Sequence, residues 1–262
     1  MPSSNPASKK EQKKRMTPEH VFTFKCHTEI ACFTQCCRDI TIVLTPFDIL
    51  RLKKGLGVSS DEFLEKYTII LPQKNRLIPL VILKMNETDK KCPFVREQGC
   101  SIYEERPWPC RMYPLDVDDD GTFTLITHAD RCQGLSEKDS WRIGDWLLDQ
   151  GIVPYDEMNA LFSGITIPLQ SQKVDIDNPQ ITKMLFMALY NIDKFRDFVF
   201  NSTFLNRFEV EPSRIEKIKR SDEELLKFAF DWIKFGLFGE KLFWVKDNPP
   251  GEKNNGVPED HS

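Results

Sequence analysis

All eight cysteines of the chain fall between Cys26 and Cys132, and the stretch from Gln133 to Ser262 has none. They read Cys26, Cys32, Cys36 and Cys37, then Cys92, Cys100, Cys110 and Cys132, two groups of four separated by a long insert. Thiols crowded in this way are placed to hold something, and metal is the first candidate.

Redox compartment decides how the thiols are read. The N-terminal MPSSNPASKKEQKKRM is basic like the start of a signal peptide. No apolar run of ~7 to 15 residues follows it, so a cytoplasmic protein is expected. In that compartment glutathione and thioredoxin keep thiols reduced, and clustered cysteines are metal-binding or catalytic more often than disulfide-bonded. Lys25, Arg38, Lys91, Arg111 and Arg131 each adjoin a cysteine, while no Asp or Glu does. Adjacent cations favour the thiolate, which is the metal-binding form.

The spacing leaves the kind of centre open. A structural zinc site takes four ligands, usually from short-spaced pairs. Cys32 and Cys36 approach that spacing, whereas Cys92, Cys100 and Cys110 are spread more widely, as in cluster-binding loops. Neighbouring side chains tend to diverge, so Cys36 and Cys37 suit two metal atoms, or one ligand and one structural thiol. Eight thiolates could build two four-cysteine sites, or one site plus buried spares.

The segments FKCHTEIACFTQCCRDI and KCPFVREQGCSIYEERPWPCRMYPLD resemble the YkgJ-type cysteine-cluster family, described as a zinc- or iron-chelating domain. The resemblance runs from about Phe24 to Cys132. It is most specific at Cys92-Pro93-Phe94, Cys100 to Tyr103, Arg106-Pro107 and Cys110 to Pro114. The family's usual first stretch is CxxCxxCC, and the wider gaps around Cys26 and Cys32 depart from it. The resemblance implies metal binding, with an iron-sulfur cluster or zinc as the cofactor and Cys26, Cys32, Cys36, Cys37, Cys92, Cys100, Cys110 and Cys132 as the candidate ligands. It is also similar to the cysteine-cluster domain of flagellin lysine N-methylases, which implies a radical or methyl-transfer hypothesis. The radical adenosylmethionine pattern CxxxCxxC breaks here, because Cys32 and Cys36 fit its first gap but position 39 is Asp39.

Other chemistries find less support. No GxGxxG turn, phosphate loop, HExxH or Ser-His-Asp signature is present. Asp116, Asp118, Asp120 and Gly121 copy the opening of a calcium loop, but Thr127 stands where the bidentate Glu belongs, so a polar hairpin turn is expected. His27 and His128 flank the cysteine groups as possible substitute ligands or supporting groups. Tyr103, Arg106 and Arg111 either orient or neutralise the site, or serve packing and a surface ion pair. With 36 basic against 40 acidic residues, charge gives no argument for nucleic-acid or membrane attraction.

The expected fold is α+β: a small irregular cysteine-rich half with short strands and helices, followed by a mainly α-helical half. Thr45, Pro46 and Gly55 or Gly57 bound one helix, and Ser59 with Glu62 caps the next. Residues 76–86 read as a strand, and RMYPLDVDDDGTFTLITH as a hairpin. From SEKDSWRIGDWLLDQG onward, through NPQITKMLFMALYNIDKFRDFVF to SDEELLKFAFDWIKFGLF, apolar residues recur at helical spacing. The expected divisions are a disordered basic tail over 1–19, a metal-binding domain over 20–134, a helical region over 135–245 and a disordered tail over 246–262. The functional expectation is a metal-binding protein with a redox or protein-modifying role, the alternative being a structural zinc module for protein interaction. The partner is an unspecified protein or small molecule.

Overall fold

The computed structural model describes residues 14–171 and 178–246. The fold is α+β, with short strands preceding a helical C-terminal half. Among the described residues every sheet is a two-stranded antiparallel pair. No helix among them is long and apolar enough to cross a membrane.

The chain forms two compact units, one of residues up to 42 with 85–156, the other of 43–84 with the chain from 157 onward. Residues 43–84, grouped by sequence with the cysteine segment, therefore cluster with the helical half. Their helix Pro46–Leu56 packs on the helices Pro179–Tyr190 and Asp222–Phe238, which accounts for the assignment.

In the cysteine-bearing unit, Val21–Thr23 pairs with Ser140–Arg142, aligning Phe22 with Trp141. The hairpin Leu115–Val117 and Phe123–Leu125 forms around the Asp-rich turn as expected, with Asp118 N–H donating to the Thr122 carbonyl at 2.8 Å. Phe22, Phe24, Met112, Leu115, Ile143 and Trp146 make its core. Trp146 is the hub, its ring 5.2 Å from Phe24, 5.8 Å from Phe22 and 5.3 Å from Trp141, all edge to face. Each such pair contributes roughly 0.5–1.5 kcal/mol beyond area burial.

The expected N-terminal tail ends earlier than residue 19. Met16 is buried in this core and exchanges backbone hydrogen bonds with Phe123 at 2.9 and 2.8 Å, extending the hairpin edge. Residues 1–13 and the tail from 247 lie outside the described residues.

The helical unit follows its local signals. Thr45 and Asp48 form a complete capping box on Pro46–Leu56, which Gly57 closes. Ser59 caps Ser60–Tyr67 by accepting from Glu62 N–H at 3.2 Å. Ser221 does the same for Asp222–Phe238 through Glu224, and that helix ends at Gly239. The segment NPQITKMLFMALYNIDKFRDFVF, with its helical spacing, forms two helices, Pro179–Tyr190 and Ile192–Asn201. Asn191 divides them: its side chain caps the second helix at Lys194 N–H and donates to Asp61 at 2.7 Å.

Candidate metal centre

All eight cysteines lie in the first unit and none forms a disulfide. Cys132 is buried, Cys26 is exposed, and the other six are half-buried. Among the described residues no three His, Cys, Asp or Glu side chains already stand converged to hold a metal ion. Backbone hydrogen bonds nonetheless tie together the segments that carry Cys26, Cys32 and Cys132, and those that carry Cys37, Cys92 and Cys100.

Cys26 leaves the strand Val21–Thr23 beside the turn Gln133–Ser136, where Lys25 N–H donates to the Gly134 carbonyl at 3.0 Å. That turn also reaches the loop carrying Cys32. Gln133 donates its N–H to Cys32 Sγ at 3.3 Å, and its side-chain oxygen accepts from Ala31 N–H at 2.9 Å. Cys132, directly before Gln133 and buried, is thus held against the segment of Cys26 and Cys32.

Cys36 and Cys37 sit in the short turn Gln35–Cys37, entered through Thr34 in a left-handed conformation, φ 63°. Leaving it, the chain bridges antiparallel to the approach to Cys92. Arg38 faces Lys91, Asp39 N–H donates to the Lys90 carbonyl at 2.9 Å, and Cys92 N–H to the Cys37 carbonyl at 2.8 Å. The register makes Cys37 and Cys92 the next cross-chain neighbours. Cys100 joins them, because Val95 follows Cys92 by one turn bond of 3.1 Å and pairs with Cys100 in the Val95–Arg96 and Gly99–Cys100 hairpin.

Two glycines permit this packing. A Cβ on Gly134 would stand 2.7 Å from the Lys25 carbonyl oxygen and 3.0 Å from the Phe24 ring. A Cβ on Gly99, which has φ +113°, would stand 3.2 Å from the Phe33 ring.

Arg106 and Arg111 resolve into clamps on the loop between Cys100 and Cys110, not a surface ion pair. Both are buried. Arg111 donates to the Arg106 carbonyl at 2.9 Å, to the Gln150 carbonyl at 2.6 Å and to the Glu104 carbonyl. Arg106 donates to the Tyr103 carbonyl and to Gln150 Oε1, each at 2.6 Å, and lies 3.7 Å from the Tyr103 ring centre. His27 is a half-buried neighbour of Glu137 at 3.6 Å, and His128 is exposed, its carbonyl accepting from Arg131 and Cys132 N–H.

Electrostatics modify the expectation from flanking cations. Lys25 is 3.2 Å from Asp139 and Lys91 3.7 Å from Asp89, while Arg111 is spent on carbonyls, so these charges are already engaged. Burial pushes the Cys92 and Cys100 thiols up. Desolvation, then Cys36, Cys132 and Cys32, push Cys26 up to about 11. Cys36 runs the other way, lowered to about 7 chiefly by a hydrogen bond from the Cys37 thiol, which is itself pushed up. Tyr113, within the Cys110 to Pro114 motif, has its hydroxyl pushed up by burial and by its hydrogen bond to Cys132.

The donor set suits a soft or borderline cation: reduced thiols from three loop segments. Residues 25–139 match the model of the CxxCxxCC family, described as "Putative zinc- or iron-chelating domain". This is the cysteine-cluster family that the motifs resemble, and the match covers the cysteine-bearing segment. No curated protein and no solved structure matches the chain.

Proposed function

We propose that the chain is a metal-binding protein whose cysteine-bearing unit holds an iron-sulfur cluster or zinc through Cys26, Cys32, Cys36, Cys37, Cys92, Cys100, Cys110 and Cys132. The observation that carries this reading is the backbone network around Gln133 and Cys92, which draws distant unlinked thiols together. Bound iron-sulfur would supply electron transfer or support modification of a protein or small molecule; bound zinc would lock the loops and leave the helical unit as a partner surface. Seven of the eight cysteines are not fully buried, which supports the redox version, since electron exchange requires approach.

Anaerobic purification, metal and sulfide analysis and a visible spectrum test the proposal. Iron with sulfide and a broad brown absorbance mark the redox version, and zinc in a colourless protein the structural one. Fewer than one metal ion per chain, unchanged by reconstitution, overturns both.

A further inference from the structure

Chain order suggests that the first four cysteines share one site and the last four another. The backbone joins them differently. The Gln133 N–H on Cys32 Sγ and the Lys25 N–H on Gly134 tie Cys132 to Cys26 and Cys32. The bridge of Arg38 with Lys91 and the Cys92 N–H on the Cys37 carbonyl tie Cys37 to Cys92, and the pairing of Val95 with Cys100 adds the next thiol. The two members that change sides are Cys37 and Cys132.

Resting on the chelation reading, we infer that the chain forms two thiolate centres, one from Cys26, Cys32, Cys36 and Cys132, the other from Cys37, Cys92, Cys100 and Cys110. Cys37 faces Cys92 across the antiparallel bridge, so Cys36, its neighbour in the turn Gln35–Cys37, is left to the other centre, and Cys110 completes the second set of four. The adjacent pair is then a divider with one sulfur for each centre. This suits the poor fit of two successive side chains to one tetrahedral ion.

Cobalt(II) titration of the full, reduced chain under anaerobic conditions tests the division, read by thiolate-to-cobalt charge-transfer absorbance and by bound cobalt. Wild type is expected to take two equivalents. C37S/C92S and C26S/C132S should each keep one, because each pair falls within a single centre. C36S/C37S should keep none. Grouping by chain order gives the reverse: none for the first two variants and one for the third. Unfolding removes sites and cannot preserve one, so one equivalent in either of the first two supports the division. Loss of both equivalents in both, or one equivalent retained in C36S/C37S, overturns it, as does a wild type saturating at one. A wild type that binds neither cobalt nor iron defeats the chelation reading itself.

Discussion

Gln133 donates its backbone N–H to the sulfur of Cys32 at 3.3 Å, across 101 positions of sequence. That contact makes the turn Gln133–Ser136 a structural part of the first cysteine loop, and its geometry depends on the residue that follows.

Gly134 should therefore tolerate no side chain. The Lys25 carbonyl oxygen that its Cβ would meet at 2.7 Å belongs to backbone and cannot swing aside. Gly134→Ala is expected to cost about 1–3 kcal/mol, as overpacking does, and to separate Cys132 from Cys26 and Cys32. Thermal melting and metal content, measured together, check this; wild-type values for both would show that the turn does not position the thiols.

Arg111 is expected to matter for folding more than for charge. Arg111→Met leaves the Gln150 carbonyl of a buried residue without this donor, while the Arg106 carbonyl keeps the Tyr155 hydroxyl at 3.1 Å, and a buried unsatisfied group costs about 1–3 kcal/mol. Arg111→Lys should rescue little, because one ammonium cannot reproduce the planar fork. Denaturant midpoints for both variants decide the matter, and a full rescue by lysine would reassign the residue to a purely electrostatic role.

How much of this was legible in the sequence follows from the range of each interaction. Thr45, Ser59 and Ser221 announce helix starts because a cap needs only residues three positions away. The Asp118 to Gly121 turn is likewise local. The strand Ser140–Arg142 was hidden in a helical-looking stretch because its reason is Val21–Thr23, far back in the chain. The grouping of thiols is hidden for the same cause: Cys132 adjoins Cys32 only through long-range hydrogen bonds. Asn191 held a usable signal, an Asn two positions before Asp193 inside a long apolar pattern, but helical periodicity continues across it.

Acid should weaken the helical unit through Asp193. Burial opposes its ionisation, yet Ser60 N–H at 2.6 Å and Lys53 at 2.9 Å hold its carboxyl below the usual 3.8. A depressed carboxyl contributes stability that is present above the unfolded value and lost as pH falls through the folded one. Melting temperature of wild type should drop more steeply below about pH 4 than that of Asp193→Asn. Lys53 keeps Asp222 at 3.1 Å in that variant, which limits its loss at neutral pH. Parallel acid slopes for the two proteins would remove Asp193 from the account.

Tyr113 offers the most selective probe of the thiol cluster. Its ring stands edge to face against Phe24 at 6.3 Å, while its hydroxyl hydrogen-bonds Cys132. Tyr113→Phe keeps the ring and removes the hydroxyl, so stability without metal should change little. A ligand sulfur that loses a supporting donor binds metal more weakly, typically by 10–100-fold. Competition against a chromophoric zinc chelator should show an affinity loss on the order of 10-fold, with stoichiometry unchanged. Because the phenol touches Cys132, the loss should fall on the centre that contains Cys26. In C37S/C92S, where that centre alone remains, Tyr113→Phe should weaken the single bound ion. In C26S/C132S it should leave the remaining ion untouched. Equal weakening in both backgrounds would mean that the tyrosine acts through general packing and not through the sulfur it contacts.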